Sequence, residues 1–266
     1  MVGKKIIAVY RAERFSPNSV DRDRTIMQAT AALVGCNTFI PEEELPANRG
    51  FIEDAHLILS MARGKEALKI LADAGSHAAV INSATAVARS SRSHIDSLMR
   101  SHNIPAAPLQ GNSGWWIKRG DEAAQEKGDV RFAADDNEKA LIIGEFRKRG
   151  ISNLVVTAHV AGDLVKFYGV AGTEFFFTCY PTDGNFSKFG DEKINGKPLH
   201  TRFDMARLHA DATKLARLTG ILVYGGDCIV RRDGSYAIID FNDWPSFSVC
   251  RKQAAEAIAG LVNKEY

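Results

Sequence analysis

Near its C-terminal end the chain reads Gly225-Gly226-Asp227-Cys228-Ile229-Val230, then Arg231-Arg232-Asp233-Gly234-Ser235, then Ile238-Ile239-Asp240-Phe241-Asn242. Two apolar runs flanking an Asp-Gly pair are a strong hairpin signal, because Asp-Gly suits the positive-φ positions of a type I′ turn. With Asp233 and Gly234 as a two-residue turn, Asp227 stands directly opposite Asp240. Strand alternation then puts Asn242 on the face of Asp240. Opposed carboxylates repel, and Asp and Asn are depleted from strands. A cation removes the conflict: carboxylate and amide oxygens are the hard ligands that Mg²⁺ takes, usually together with phosphates. The alternative is that these three side chains cap strand ends or meet water. Arg231 shares the face of Asp227 by alternation, so it either meets a phosphate or is solvated at the strand end.

The remainder of the chain alternates strands with helices. Short apolar strands are expected at Ile6 to Tyr10, Thr38 to Ile40, His56 to Met61 and Ala78 to Ile81, with helices over 20–34 and Lys65 to Ala74. Ile26, Ala29 and Leu33 share one face of the first helix, and Gly35 is placed to stop it. This pattern implies an α/β layer with a largely parallel sheet, in which ligands meet the carboxyl ends of the strands. Arg11 to Asn18 and Ala62-Arg63-Gly64 fall just past strand ends, as ligand-facing segments or solvated loops. A single helix is expected over 84–102, ended by Ile104-Pro105. Trp115 to Lys118 reads as a strand, Gly120 to Asp129 as a mobile loop, and Glu138 to Arg149 as a helix with charges suited to its dipole. Leu154 to Val160, Leu164 to Val170 and Glu174 to Tyr180 read as strands. Pro181 to Pro198 reads as loop, and 202–219 and 251–263 read as helices.

Composition narrows the function classes. The 266 residues carry a net charge of +2, too near neutral to argue for a nucleic-acid surface. Apolar residues make up 45% and charged residues 25%, the profile of a globular chain with a substantial core. Cys36, Cys179, Cys228 and Cys250 lack CxxC spacing and read as reduced, mostly buried thiols. No run approaches the ~20 apolar residues of a membrane span, and the N-terminal apolar run is too short for a signal peptide. The expectation is a cytoplasmic protein with no membrane partner, and a symmetric dimer is the default for a chain of this kind.

Several individual residues stand out. Lys118 and Lys166 sit on otherwise apolar strands, where a lysine either snorkels to solvent or finds an anion. Arg92 on its helix reads as a surface residue. Asp163, beside Gly162, either accepts from a ligand hydroxyl or caps a turn. Trp244 and Phe247 follow the Asn242 strand and are placed to shape an acceptor pocket.

In order along the chain, these motifs resemble the ATP-grasp superfamily, and within it carboxylate–amine ligases similar to glutathione synthetase and the ribosomal-protein glutamate ligases. Ile81-Asn82-Ser83, Arg92 and Asn103-Ile104-Pro105 look like the family's entry segment, with Arg92 where a lysine usually stands. Trp115-Trp116-Ile117-Lys118 looks like its nucleotide-contacting lysine strand. Val155 to Lys166 looks like the hinge that holds adenine, followed by ribose and phosphate contacts. The resemblance covers nearly the whole chain.

It implies an ATP-grasp fold behind an N-terminal Rossmann-like layer: residues 1–88 as the pre-ATP-grasp domain, and 89–266 as the ATP-grasp domain with a lid at about 106–160. It implies ATP bound by Arg92, Lys118, Ala158, His159, Val160, Asp163 and Lys166. Mg²⁺, or Mn²⁺ in its stead, would be held by Asp227, Asp240 and Asn242, with Arg231 on the transferred phosphate. The implied reaction joins a small carboxylate to an amine through an acyl phosphate, with the Gly120–Gly128 loop as the lid. A small-molecule kinase and a non-catalytic ATP-binding module are the alternatives. Three departures from the family pattern stand out: Ala158 replaces the usual hinge glutamate, Asp240 replaces a metal-binding glutamate, and the loop after Lys118 is not glycine-dense.

Overall fold

The computed structural model describes residues 5–121, 127–181 and 194–266. The central part of the Gly120–Gly128 loop and most of Pro181 to Pro198 lie outside the described residues. The N-terminal layer runs β1 (Ile6–Tyr10), α1 (Val20–Val34), β2 (Thr38–Pro41), α2 (Arg49–Glu53), β3 (Leu57–Ser60), α3 (Lys65–Ala74) and β4 (Ala79–Ile81). Its four strands form one parallel sheet in the order β2-β1-β3-β4. The apolar runs of β1 and β3 fit this layer because strands covered on both faces lose polar alternation.

Two helices, α4 (Ala84–Arg89) and α5 (Arg92–Ser101), replace the single helix expected over 84–102. The break falls at Ser90-Ser91. Ser91 Oγ accepts from the His94 N–H, and Ser83 Oγ does the same for Ala86. A capping serine satisfies an orphan donor and so starts a new helix where apolar periodicity alone would continue the old one.

A three-stranded antiparallel sheet follows, built from β5 (Trp115–Arg119), β6 (Val130–Ala133) and β7 (Leu154–Ala158) in the order β6-β5-β7, with α6 (Asp136–Lys148) against it. β6 is too short for its alternation to show in the sequence. This sheet has a small core of its own around Ile117, Ile142 and Phe146. The second antiparallel sheet comprises β8 (Asp163–Val170), β9 (Phe176–Cys179), β10 (Val223–Val230) and β11 (Tyr236–Asp243), in the order β11-β10-β8-β9. Helix α7 (Met205–Thr219) precedes β10, and α8 (Arg251–Glu265) ends the chain.

The N-terminal layer has a core of its own around Ile7, Val9, Ile58 and Leu71, and shares a second cluster with the C-terminal part. Ala8, Ile26 and Leu59 share one buried cluster with Val223, Trp244, Phe247 and Ile258. Asn82 adds a polar clamp: fully buried, its Oδ1 accepts from Leu222 N and Val223 N, and its Nδ2 donates to Val223 O, each at 2.8 Å. Nothing described here forms a helix long and apolar enough to cross a membrane.

The hairpin turn differs from expectation in an instructive way. Arg231 N donates to Ser235 O and Gly234 N to Arg231 O, with Gly234 at φ +80°, so the loop holds three residues rather than two. That offset shifts the outer pairs, Val230 facing Tyr236 and Cys228 facing Ile238. A bulge between Asp227 and Cys228, with Ile239 the extra residue on the facing strand, restores the expected pairing, and Asp227 faces Asp240.

Candidate active site

A cleft of about 320 Å³ lies between the two antiparallel sheets and is closed at one end by loops of the N-terminal layer. That volume falls in the roughly 300–1,000 Å³ range of small-molecule sites. One end is apolar, with Ala107, Val160, Leu164, Ile229 and Ile239 on its walls. The other is charged. Asp227, Asp240 and Asn242 all line it, with Arg92, Lys118 and Lys166. Strand alternation places Asp240 and Asn242 on one face of β11, and the antiparallel register brings Asp227 beside them.

The charged groups interlock. Lys166 Nζ donates to Asp227 Oδ1 at 2.9 Å. Asn242 Nδ2 donates to Asp240 Oδ2 at 3.1 Å. Lys118 Nζ reaches across from β5 to Ile239 O at 2.8 Å. Arg92 Nη1 donates to Arg119 O at 2.9 Å. Its Nε lies 3.7 Å from Asp240 Oδ1 and is buried without a hydrogen bond. Burial works to raise the Asp240 pKa, but Arg92 and Lys118, then Asn242 and Lys166, together hold it below the ordinary carboxylate value. Burial lowers the Lys118 pKa, partly offset by Asp240 and reinforced by Arg92. Among the described residues, three cations thus face two carboxylates, an excess of positive charge suited to a polyphosphate.

The donor set fits a divalent ion. Asp227, Asp240 and Asn242 offer only oxygen ligands, and Asp240 is held ionised. Among the described residues no three His, Cys, Asp or Glu side chains group closely enough to form a site by themselves. The third oxygen here comes from an amide.

Other candidates take different places. Ala158 and Val160 line the apolar end. Ala158 N donates to Pro108 O at 2.7 Å and His159 N to Gly114 O at 2.9 Å, so both of these hinge donors are already engaged. Gly111 packs closely on Ala158: a Cβ built on Gly111 would lie 2.7 Å from the Ala158 Cβ. His159 points away from the cleft lining. Its Nδ1 accepts from Trp116 Nε1 at 3.1 Å, its ring meets Phe132 edge-on, and burial lowers its pKa.

Asp163 is turned to the chain itself. Its two oxygens accept from Leu199 N at 2.7 Å and Thr201 N at 2.9 Å. Burial raises its pKa, but these backbone donors outweigh burial and lower it. Arg231 stays at the turn, donating to Ser235 Oγ at 3.3 Å, and is not among the cleft residues. The structure therefore brings Arg92, Lys118, Lys166, Asp227, Asp240 and Asn242 together with Ala158 and Val160, and leaves His159, Asp163 and Arg231 apart.

Sequence reasoning missed one cluster. Arg11 and Asp23 of the N-terminal layer meet Asp243, the last residue of β11. Arg11 Nη1 donates to Asp23 at 2.9 Å, and its Nη2 to Asp243 Oδ2 at 3.3 Å and Trp244 O at 3.2 Å. Arg63 donates to Asp243 Oδ1 through Nε at 3.0 Å and Nη2 at 2.6 Å. The loops past β1 and β3 were legible as ligand-facing. Their partner, 180 residues away in sequence, carried no local signal.

No family model matches the chain, and no curated protein matches it. Solved structures do. The chain is similar to the D-cycloserine synthetase DcsG at TM-score 0.66 and 12% identity, over 97% of this chain and 99% of that one. D-alanyl-alanine synthetase A from Vibrio cholerae superposes at 0.67 and 9%, covering 99% and 98%. A RimK domain protein ATP-grasp from Sphaerobacter thermophilus superposes at 0.63 and 16%, covering 97% and 99%. At these identities the likeness speaks for architecture, and it runs from end to end: this chain has the ATP-grasp fold.

Proposed function

We propose that the protein is an ATP-dependent ligase that joins a small carboxylate to an amine or similar nucleophile through an acyl phosphate. The observation that carries this reading is the convergence of Asp227, Asp240 and Asn242 with Arg92, Lys118 and Lys166 on one end of a cleft whose other end is apolar. An adenine fits the apolar end, against Ala158, Val160 and Ile229, and a triphosphate fits the charged end. ATP-bound D-alanine–D-alanine ligase from Bacillus anthracis, similar to this chain at TM-score 0.62, supports the same reading.

Asp227, Asp240 and Asn242 would hold Mg²⁺, which when bound neutralises phosphate charge. Lys118 and Lys166 act on phosphate oxygens as point charges. Arg92, with a buried and unpartnered Nε, adds a third cation directed at the same end. Together they stabilise the charge spread over the phosphoryl group in transfer. The cleft walls hold both reactants in one frame, which supplies the entropic advantage of an intramolecular reaction.

A small-molecule kinase needs spare cations clustered for a phosphorylated acceptor. Of Arg11, Arg14, Arg63, Arg202, Arg251 and Lys252, the cleft is lined by Arg11 and Arg63 alone. Asp23 and Asp243 pair with these two. Arg22 also lines the cleft, so among the described residues one cation is left over there; a single spare cation is fewer than the cluster a kinase needs, which favours the ligase. The test is a screen of carboxylic acids with and without amines, read by nucleotide product. ADP and phosphate released only with a matched pair support the proposal. AMP as product, or no nucleotide binding, overturns it.

A further inference from the structure

Resting on that ligase reading, Arg63 stands out among the cleft residues. Arg11 and Arg63 flank Asp243, but their hydrogen bonding is unequal. All three Arg11 guanidinium nitrogens are engaged, with Met61 O, Asp23, Asp243 and Trp244 O. Arg63 gives Nε and Nη2 to Asp243, and its backbone N–H to Glu42 Oε2 at 2.7 Å. Its Nη1 has no hydrogen-bond partner among the described residues. That nitrogen is not fully buried, and Arg63 lines the cleft. Arg63 also borders a smaller adjoining cavity, of about 50 Å³, together with Arg92, Lys118, Asp240 and Asn242.

A second, independent feature marks the same wall as built for a polar ligand. Ser16 is 3% exposed and lines the cleft, yet its Oγ has no hydrogen-bond partner. Buried polar groups without partners are uncommon and call for an explanation; a bound substrate supplies one.

We infer that Arg63, fixed by Asp243, presents Nη1 to the anion at the transfer end of the cleft: the phosphoryl group in flight and the carboxylate oxygen that receives it. In that step a substrate carboxylate oxygen forms a bond to the γ-phosphorus. The bond from that phosphorus to the β,γ-bridging oxygen breaks, and ADP leaves with the electron pair. No proton moves and total charge is unchanged, so a permanently protonated guanidinium is the suitable partner. Asp243 holds Nε and Nη2 from one side, which orients the plane of the fork and leaves the third nitrogen toward the cleft. The N-terminal layer thereby contributes directly to the reacting centre.

The experiment is calorimetry on the full chain as wild type, Arg63→Lys and Arg63→Gln. Mg-ADP is titrated alone and then with aluminium fluoride, a planar stand-in for the transferring phosphoryl group. Mg-ADP affinity is expected to stay within about twofold in all three. Aluminium fluoride is expected to tighten ADP binding in wild type, with about a tenfold or greater loss of that tightening in Arg63→Gln and a partial loss in Arg63→Lys. In turnover with the acid found by the ADP-release screen, the KM for that acid rises or kcat falls in Arg63→Gln while the KM for ATP holds. Undiminished tightening in Arg63→Gln, no tightening in wild type, or an equal loss of Mg-ADP affinity overturns the inference. If Arg63→Gln fails to fold, Arg63→Lys, which keeps the charge beside Asp243, decides by the same criteria. Failure of wild type to bind Mg-ADP at all instead overturns the ligase reading.

Discussion

Neighbouring positions at the C-terminal end of β11 make opposite uses of buried charge. At Asp240 and Asn242 the strand presents oxygens to a cleft where three cations converge and where Arg92 Nε lacks a hydrogen bond. At Asp243, next in the chain, the carboxylate is gripped by two arginines and tied to Asp23 through Arg11. The same contrast separates Asp240 from Asp163. Both have depressed pKa values, but Asp240 owes this to side-chain cations and Asp163 to fixed backbone donors. The set around Asp243 is closed save for Arg63 Nη1 and holds the fold, whereas the set around Asp240 is left open for a ligand. Burial and charge alone do not distinguish the two, and only the count of partners does.

The closed cluster gives the largest expected effect. Asp243→Ala leaves Arg11 and Arg63 buried beside each other without their carboxylate, and is expected to cost about 3–5 kcal/mol in urea unfolding. A change below 1 kcal/mol would show that the cluster is not the anchor described. At the open end, Asp240→Asn is expected to lower acid-dependent ADP formation by about 10²–10³-fold, in line with loss of a preorganised electrostatic group. Unaltered turnover would remove Asp240 from the site.

Asp163→Asn tests the tie to Leu199 and Thr201. It is expected to cost about 1–3 kcal/mol while Mg-ATP affinity stays unchanged; weakened ATP binding would return Asp163 to the nucleotide. The sign of its pH dependence follows from its depressed pKa. The stabilisation is fully present above the ordinary carboxylate pKa and is lost as pH falls through the lower folded-state value. Melts from pH 6 down to about 3 therefore show a shallower acid loss in Asp163→Asn than in wild type. The smallest effect belongs to Ser91→Ala, which removes the α5 cap and costs about 1 kcal/mol. Less than a few tenths would mean that the helix break rests on packing.

Much of the architecture was legible because its signals are local. Helix α1 ends at Gly35 and α3 at Gly75 as apolar spacing and glycine placement require. The facing of Asp227 and Asp240 was also legible, though through two departures that offset each other: a three-residue loop and a bulge. The charged end of the site, Lys118, Lys166 and Arg92 included, was reached by family resemblance, since a lysine on a strand has no local mark that separates solvent from phosphate. Arg231 and Asp163 lie apart from the cleft lining, because alternation gives a face but not how far along the strand a cleft extends, nor which loop folds back on it.

By itself, then, the sequence determined most of the order of strands and helices, the Asp227–Asp240–Asn242 face, and the loops past β1 and β3 as segments that either face a ligand or are solvated; both line the cleft. Those depend on periodicity and turn chemistry within a few residues. Tertiary structure alone decided that Arg11 and Arg63 converge on Asp243, that Gly111 packs on Ala158, and that Asp163 serves the backbone of 199–201. Pairing a buried charge depends on which distant segment packs beside it. That choice is made by the whole core, in which the N-terminal layer and α8 share one cluster, and not by any stretch of neighbouring residues.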